Sequence, residues 1–300
     1  MSIYRLFNVS IIFIFSVSAF PQNVTSGDLF KSSVLTPVNS STVGIEGPAT
    51  DKNGNLYYVN YSKEGTIGLY STAGESSIFI ELPEGSIGNG IRFDSNGSML
   101  IADYTKHNIL KVDMTSKKVG VFAHEPGMSQ PNDIAIDSKN RLYASDPDWK
   151  NRKGKIWRID TNGKVIFLDS MGTTNGIEVS PDEKTLYVNA SRKVWAYDLS
   201  KKGDISNKRL LIEFTDFGMD GMRCDVRGNL YITRFGKGAI AVVSPEGKLI
   251  REITLTGKRP TNIAFGGHDG CTAYVTLQDQ GNIESFRVDI PGKEWKMLKK

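Results

Sequence analysis

A motif that recurs about every 43 residues constrains the fold of this 300-residue chain more than any other feature. In each copy, an Asn, Asp or Glu stands directly before or at the start of a run of alternating apolar residues, as in "QPNDIAID" and "TTNGIEVS". The motif positions are Glu46, Asn89, Asn132, Asn175, Asp220 and Asn262, at intervals of 43, 43, 43, 45 and 42 residues. Six copies at so regular a period indicate a repeat architecture.

Each repeat unit has the pattern of short strands joined by tight turns. In the third unit, "IAID", "RLYASD", "GKIWRID" and "GKVIFLD" alternate apolar and polar residues and are separated by Gly, Asn or Asp turns. Outside the first twenty residues no segment has a sustained 3.6-residue apolar period, so we expect no helix there. The sequence therefore predicts an all-β fold, a six-bladed β-propeller of four-stranded antiparallel blades around a central channel.

The last repeat unit supplies only three clear strands, in "NIAFGG", "TAYVTL" and "NIESFRVD". The segment "FKSSVLTPV", residues 30–38, looks like a strand without a partner ahead of the first motif. We expect it to complete the last blade and so close the ring, which would remove two exposed sheet edges.

The first residues, "MSIYRLFNVSIIFIFSVSAF", resemble a secretory signal peptide, with one Arg, an apolar stretch and small residues near Ala19. We predict a signal peptide over residues 1–19 and a single propeller domain over residues 20–300. The alternative is an uncleaved membrane anchor. Cleavage would yield an exported protein, periplasmic or secreted, without stable membrane association.

Composition limits the kinds of partner that the protein can bind, but it does not decide whether the two cysteines form a disulfide. The net charge of +4 comes from basic residues scattered through turns, which argues against nucleic-acid binding. We expect a small-molecule substrate and a monomer or weak oligomer. Export makes a disulfide between Cys224 and Cys271 conceivable, but free thiols in neighbouring repeats are the favoured interpretation.

The motif positions suggest a cation site. The first strand of each propeller blade lines the channel, so residues at its start should converge on one mouth. Carboxylate and amide oxygens are the ligands that calcium prefers, whereas zinc prefers nitrogen or sulfur. Glu46 and Asp220 converge on the same channel with nothing cationic in the motif, so we expect them to repel each other and a divalent cation to relieve the repulsion. The competing explanation is turn chemistry, in which Asn and Asp before Gly simply favour tight turns.

The ordered set "EGP", "PND" with "YASDP", "TNGI" and "DGM" resembles the regucalcin/gluconolactonase-like calcium-dependent lactonases, which are six-bladed propellers. The resemblance covers essentially the whole chain after the signal peptide. It implies one divalent ion, calcium, with magnesium, manganese or zinc as alternatives. The implied metal ligands are Glu46, Asn132, Asn175 and Asp220.

The resemblance also implies hydrolysis of a lactone, a sugar lactone or similar cyclic ester, with Asp220 as the catalytic base or nucleophile. Asn132, Asp133 and Trp149 are the expected substrate contacts; Trp149 lies in a loop that could reach over the channel. The Trp-Asp pair common in sugar-lactone members of the family is missing from the segment after the opening strands of the first blade. No Arg at a substrate-binding position of the family is evident.

Three other functions remain open at this point. The same site could hydrolyse phosphotriesters, the propeller could be a non-enzymatic NHL-type module that binds proteins, or it could resemble strictosidine synthase. His107 and His124 lie away from the motif starts, and we expect them to have no catalytic role.

Overall fold

The computed structural model describes residues 28–299. They form six four-stranded antiparallel sheets, and each sheet uses four strands that are consecutive around the closed ring. The predicted all-β, six-bladed β-propeller is confirmed. The predicted signal peptide over residues 1–19 lies outside the described residues, so it stays a prediction, as does the domain that would begin at residue 20.

The first three blades follow one another in sequence. Blade 1 contains β2 Glu46–Thr50, β3 Leu56–Val59, β4 Thr66–Tyr70 and β5 Ser76–Glu81. Blade 2 contains β6 Gly88–Phe93, β7 Met99–Asp103, β8 Asn108–Val112 and β9 Val119–His124. Blade 3 contains β10 Ile134–Ile136, β11 Leu142–Asp148, β12 Lys153–Ile159 and β13 Val165–Gly172.

The remaining blades complete the ring. Blade 4 contains β14 Thr174–Val179, β15 Thr185–Ala190, β16 Lys193–Leu199 and β17 Ile205–Glu213. Blade 5 contains β18 Met222–Cys224, β19 Leu230–Arg234, β20 Ala239–Val243 and β21 Leu249–Thr254. Blade 6 contains β22 Pro260–Gly266, β23 Thr272–Leu277, β24 Asn282–Arg287 and β1 Ser33–Val34.

The ring closes as the sequence predicts. β1 pairs antiparallel with β24, with Ser33 opposite Ser285 and Val34 opposite Glu284. The N–H of Leu35 donates to the carbonyl of Ile283 at 2.9 Å, and the N–H of Phe30 donates to Arg287 at 2.8 Å. The segment ahead of the first motif therefore supplies the outer strand of the last blade.

The hydrophobic core lies between neighbouring blades. Between blades 1 and 2, Tyr57 packs edge-to-face on Phe79 and Phe93, with ring centroids 5.0 and 5.5 Å apart. The Tyr231–Phe265 pair, 5.0 Å apart, plays the same part between blades 5 and 6. Alternate residues of each inner strand serve this core and the channel, as expected from the two-residue period of a strand.

A short helix was not predicted. After blade 6 the chain forms α1, Lys293–Leu298, in which Lys293 is buried. Six residues are too few to show a helical apolar period, so the apolar pattern did not indicate this helix. Among the described residues no helix is long and apolar enough to span a membrane.

Cys224 and Cys271 are both free thiols. Cys224 is buried in β18, whereas Cys271 lies just before β23 and is half-buried. The interpretation as unpaired thiols is therefore confirmed.

Candidate functional site

A cavity of about 550 Å³ opens at one mouth of the channel. Five of the six motif residues line it: Glu46, Asn89, Asn132, Asn175 and Asp220. The four sequence-predicted metal ligands are thus brought together from blades 1, 3, 4 and 5, as is Trp149, which also lines the cavity.

Irregular strand pairing at the motif aims these side chains at the cavity. The register between the first two strands shifts directly after the motif in blades 1, 2, 4 and 6. Such bulges bend the bulged strand and re-aim its side chains. The motif therefore marks the point where regular pairing stops and the channel wall begins.

The glycine that follows several motif residues is required by close contact between blades. The N–H of Gly90 donates to the carbonyl of Asn132 at 2.8 Å, and the N–H of Gly176 donates to Asp220 at 3.1 Å. A Cβ on Gly176 would lie 2.5 Å from that carbonyl, so a side chain would push the blades apart. Close contact between neighbouring blades therefore favours glycine after Asn89 and Asn175.

The two carboxyl groups in the cavity are held in an unfavourable environment for charge. Burial, together with the Asp133 carboxylate, raises the pKa of Glu46 from its ordinary value of 4.5 to about 7, although the Gly47 N–H, Arg223 and Asn262 act to lower it. Burial also raises the pKa of Asp220 well above its usual range, and the Glu46 carboxylate adds to this, whereas a hydrogen bond from Asn175 lowers it. A cation placed between the two carboxyl groups would stabilise the charged form of both.

The amide side chains of the cavity offer oxygens that accept no hydrogen bond within the described residues. The Oδ1 atoms of Asn89, Asn132 and Asn175 are all buried and unpartnered. Buried polar atoms normally have partners, so three orphans on one cavity wall indicate a missing ligand. No group of three His, Cys, Asp or Glu residues in the described chain could hold a metal. A hard cation would therefore depend on these amide oxygens together with Glu46 and Asp220, and the donor set fits calcium or magnesium.

Asn262 does not occupy the sixth position of the ring. Thr261 lines the cavity in blade 6, whereas Asn262 is fully buried behind it. The Asn262 Oδ1 accepts the N–H of Ile263 at 2.9 Å, as the Asp133 Oδ1 accepts that of Ile134 at 3.0 Å. Asn262 is thus the counterpart of Asp133, and Thr261, the second residue of β22, is the counterpart of Asn175, the second residue of β14, so the prediction was out of register by one residue.

Asp133 lies away from the cavity wall, among cations that the sequence analysis overlooked. Its carboxylate accepts hydrogen bonds from Arg223 at 2.9 and 3.2 Å and lies 3.7 Å from Arg92. Both arginines are buried in first strands, three residues after a motif position. The interpretation that the motif brings nothing cationic to the channel was therefore wrong. A substrate role for Asp133 stays a prediction, since the cavity lining does not include it.

Below the arginines, α1 supplies further charges to the buried network. Lys293 donates hydrogen bonds to the carboxylate of Glu178 and, at 2.7 Å, to the carbonyl of Val179. The carboxylate of Glu294 lies 2.5 Å from Arg92 and 4.0 Å from Arg223. Three cations and three carboxylates balance there, so this network does not neutralise the extra negative charge of the cavity.

The sequence analysis missed the residues that form the rim of the cavity. Strands β3, β7, β19 and β23 are the second strands of their blades, and the residue directly after each lines the cavity: Asn60, Tyr104, Phe235 and Gln278. Antiparallel pairing returns the end of the second strand to the mouth where the first begins. This spacing of about 43 residues was present in the sequence and could have found them.

His107 and His124 do not line the cavity. The Nδ1 of His124 lies 2.7 Å from the Asn108 Oδ1 at the edge of blade 2. The expectation that neither histidine takes part in the candidate site agrees with these positions.

Fold and site together define a class, the six-bladed propellers that carry a mixed carboxylate and amide site at one mouth of the channel. The chain belongs to the family described as "SMP-30/Gluconolactonase/LRE-like region", whose model matches residues 45–279. The family resemblance seen in the motifs is therefore confirmed.

Relatives of known name are distant. A 6-deoxy-6-sulfogluconolactonase from Pseudomonas putida is 27% identical over 158 residues, 46% of this chain and 54% of that protein. Regucalcin from Xenopus laevis is 32% identical over 149 residues, 47% of this chain and 50% of that protein. The chain spans about half the length of the curated relatives it matches.

Solved structures of the same fold cover nearly the whole chain. The calcium-binding protein regucalcin from Agrobacterium tumefaciens superposes with a TM-score of 0.76 at 22% identity, over 86% of this chain and 94% of that one. At this identity the likeness establishes the shared fold alone.

Proposed function

We propose that this protein is a metal-dependent hydrolase that opens a lactone, a sugar lactone or similar cyclic ester, in the cavity at the channel mouth. The observation that carries the proposal is the set of three orphaned amide oxygens beside two buried carboxyl groups of raised pKa. Membership of a family with gluconolactonase relatives supports the reaction class.

Glu46, Asn132, Asn175 and Asp220 would hold one divalent cation, with calcium as the expected ion. When bound, such an ion supplies a Lewis acid that polarises an ester carbonyl and stabilises the oxyanion. Asn132 and Asn175 contribute neutral oxygens, so the two carboxylates only balance the charge of the ion, whereas four carboxylates would leave the site negative and the ion a weaker Lewis acid.

Asp220 is the proposed general base. Its carboxylate would accept a proton from water as the water oxygen bonds to the ester carbonyl carbon. The bond from that carbon to the ring oxygen then breaks, and the proton passes to the departing alkoxide, which gives an open hydroxy acid. Glu46 would bind the cation and balance its charge, without transferring a proton. Trp149 at the rim would contact the substrate.

Export to the periplasm or the outside, a small-molecule substrate and a monomer or weak oligomer complete the proposal. These features come from the first twenty residues and from the scattered basic charge. They are independent of the site.

The test is hydrolysis of a lactone panel by protein treated with chelator and then re-supplied with calcium. We expect activity to vanish with the chelator and return with calcium, and Asp220→Ala and Glu46→Ala to lose at least a hundredfold in kcat/KM. Glu75→Gln removes an exposed carboxylate in a turn of blade 1 and is the matched control. Full activity in chelator, or parental activity in both alanine variants, would refute the proposal. Cleavage of a phosphotriester but of no lactone would point to the alternative chemistry.

A further inference from the structure

Three polar side chains at the mouth of the cavity, those of Asn60, Thr105 and Thr261, are occupied by hydrogen bonds within the protein. Asn60 donates to the Gly44 carbonyl at 2.8 Å and accepts the Gly65 N–H at 3.0 Å. The Thr105 hydroxyl donates to the Gly85 carbonyl at 2.6 Å and accepts the Ile87 N–H at 3.1 Å. The Thr261 hydroxyl lies 3.0 Å from the Ile45 carbonyl and 2.7 Å from the Thr276 hydroxyl. Beside these three side chains a substrate hydroxyl would lose its hydrogen bonds to water and find few replacements.

Positive charge is also kept away from the cavity. Within residues 28–299, no Lys, Arg or His lines it. Arg234 ends β19 directly before the rim residue Phe235, but its side chain is 0% exposed. The guanidinium donates to the carbonyl of Asp216 at 2.8 Å and lies 3.7 Å from the ring centroid of Phe214. The arginine therefore fixes the loop before Asp220 and offers nothing to an anionic substrate.

The remaining wall is apolar and aromatic. Ile45, Ile87, Tyr104, Trp149, Met219 and Phe235 line the cavity. Trp149 is 45% exposed, and its indole contacts the Tyr104 hydroxyl. Glu64, which is exposed, adds a negative charge to the rim. Apolar surface of this kind binds apolar groups by removing them from water.

We infer that the cavity selects an uncharged cyclic ester whose ring carries an apolar substituent, in preference to polyhydroxylated or anionic sugar lactones. The inference rests on the proposed lactonase function, because it concerns which ester the same cavity accepts. The ester carbonyl lies at the Glu46–Asp220 level, and the substituent packs on Trp149 and Phe235 at the rim.

The test compares kcat/KM of the calcium-loaded protein for three δ-lactones: δ-decalactone, glucono-δ-lactone and 6-phosphoglucono-δ-lactone. Each buried methylene is worth about a threefold gain, so we expect δ-decalactone to exceed glucono-δ-lactone by at least tenfold. The phosphorylated lactone should be the poorest substrate. An equal or greater kcat/KM for either sugar lactone would overturn the inference while the lactonase function stands.

Variants of the rim localise the effect. Trp149→Ala and Phe235→Ala should each lower kcat/KM for δ-decalactone at least fivefold more than they lower it for unsubstituted δ-valerolactone. Phe167→Ala is the matched control, since Phe167 is 52% exposed but lies on the outer strand of blade 3. Equal losses on both substrates in the rim variants would contradict a substituent subsite.

A binding measurement separates the inference from the chemistry. The δ-lactam with a pentyl substituent resists hydrolysis, and its binding to the calcium-loaded protein can be followed by calorimetry. We expect it to bind at least tenfold more tightly than the unsubstituted δ-lactam, with the difference lost in Trp149→Ala. That result without lactone cleavage would refute the proposed function alone, whereas equal binding of both lactams would refute the inference.

Discussion

At the scale of single residues, the site is defined by carboxyl groups whose charged forms are destabilised by burial. Glu46 is buried, and its nearest charges include Asp133 and Arg223, which act on its pKa in opposite directions. The arginine does not cancel the burial, so the pKa of Glu46 still rises to about 7. A buried carboxyl group whose pKa is raised in this way marks a candidate functional site, here one that would bind a cation.

This gives a prediction for the stability of chelator-treated protein. Because the pKa of Glu46 rises from 4.5 to about 7 on folding, its stabilising contribution is fully present below pH 4.5 and is lost as the pH rises to 7. The total is roughly 3 kcal/mol. Glu46→Gln cannot ionise, so it should become more stable than the parent over this window.

Urea unfolding at intervals from pH 4.5 to 8, with and without saturating calcium, measures the effect. In chelator, we expect the free energies of unfolding of the parent and of Glu46→Gln to diverge as pH rises, with the variant the more stable. With saturating calcium, we expect the parent to be the more stable. Parallel curves in chelator would show that Glu46 keeps an ordinary pKa.

At the scale of elements, α1 closes the end of the channel opposite the cavity. Lys293 is 5% exposed and is held by Glu178, which belongs to the first strand of blade 4. Asp225, at the end of β18, forms an isolated bridge with Gly292 directly before the helix. The helix thus supplies charges that the channel needs for balance, rather than only apolar contacts.

Lys293→Met should lower the free energy of unfolding by about 3–5 kcal/mol, because it leaves the buried Glu178 carboxylate without its nearest cation. Lys296→Met, on the exposed side of the same helix, should change it by less than about 0.5 kcal/mol. Chemical denaturation of both variants is the measurement. A Lys293→Met/Glu178→Met double variant should recover most of the loss, and no recovery would show that the pair is not the cause.

At the scale of the whole molecule, one short strand holds the ring closed. β1 is only two residues long, yet it joins the chain ahead of blade 1 to the end of blade 6. Its hydrogen bonds are reinforced by the Ser32 hydroxyl, which donates to Glu284 at 2.6 Å. Without it, β24 would be an exposed edge strand.

A protein that starts at residue 37 should therefore be less stable than one that starts at residue 28. At least seven hydrogen bonds between residues 30–36 and blade 6 would be lost. At about 1 kcal/mol each, they predict a loss of several kcal/mol. The open edge of β24 should also promote association. Urea unfolding and size-exclusion chromatography test both effects, and identical behaviour of the two proteins would mean that β1 is not needed for closure.

The number of blades and the order of strands could be predicted because they depend on local patterns. Each 43-residue unit contains two-residue apolar alternation and turn residues, and repetition of the unit then produces the closed ring of blades. The convergence of Glu46, Asn132, Asn175 and Asp220 follows from the same repetition, since equal positions in equal blades face one axis.

Only the tertiary structure decided what lies beside those residues. Thr261 rather than Asn262 faces the cavity because a strand shift of one residue moves a side chain to another face. Arg92 and Arg223 are both buried in first strands, and for Arg92 the strand pairing shifts directly before it, between Gly88 and Ile91. Lys293 joins them across more than a hundred residues from Glu178. The sequence by itself determined the repeated frame, whereas the charge balance inside the channel depended on contacts between blades and helix that no local pattern records.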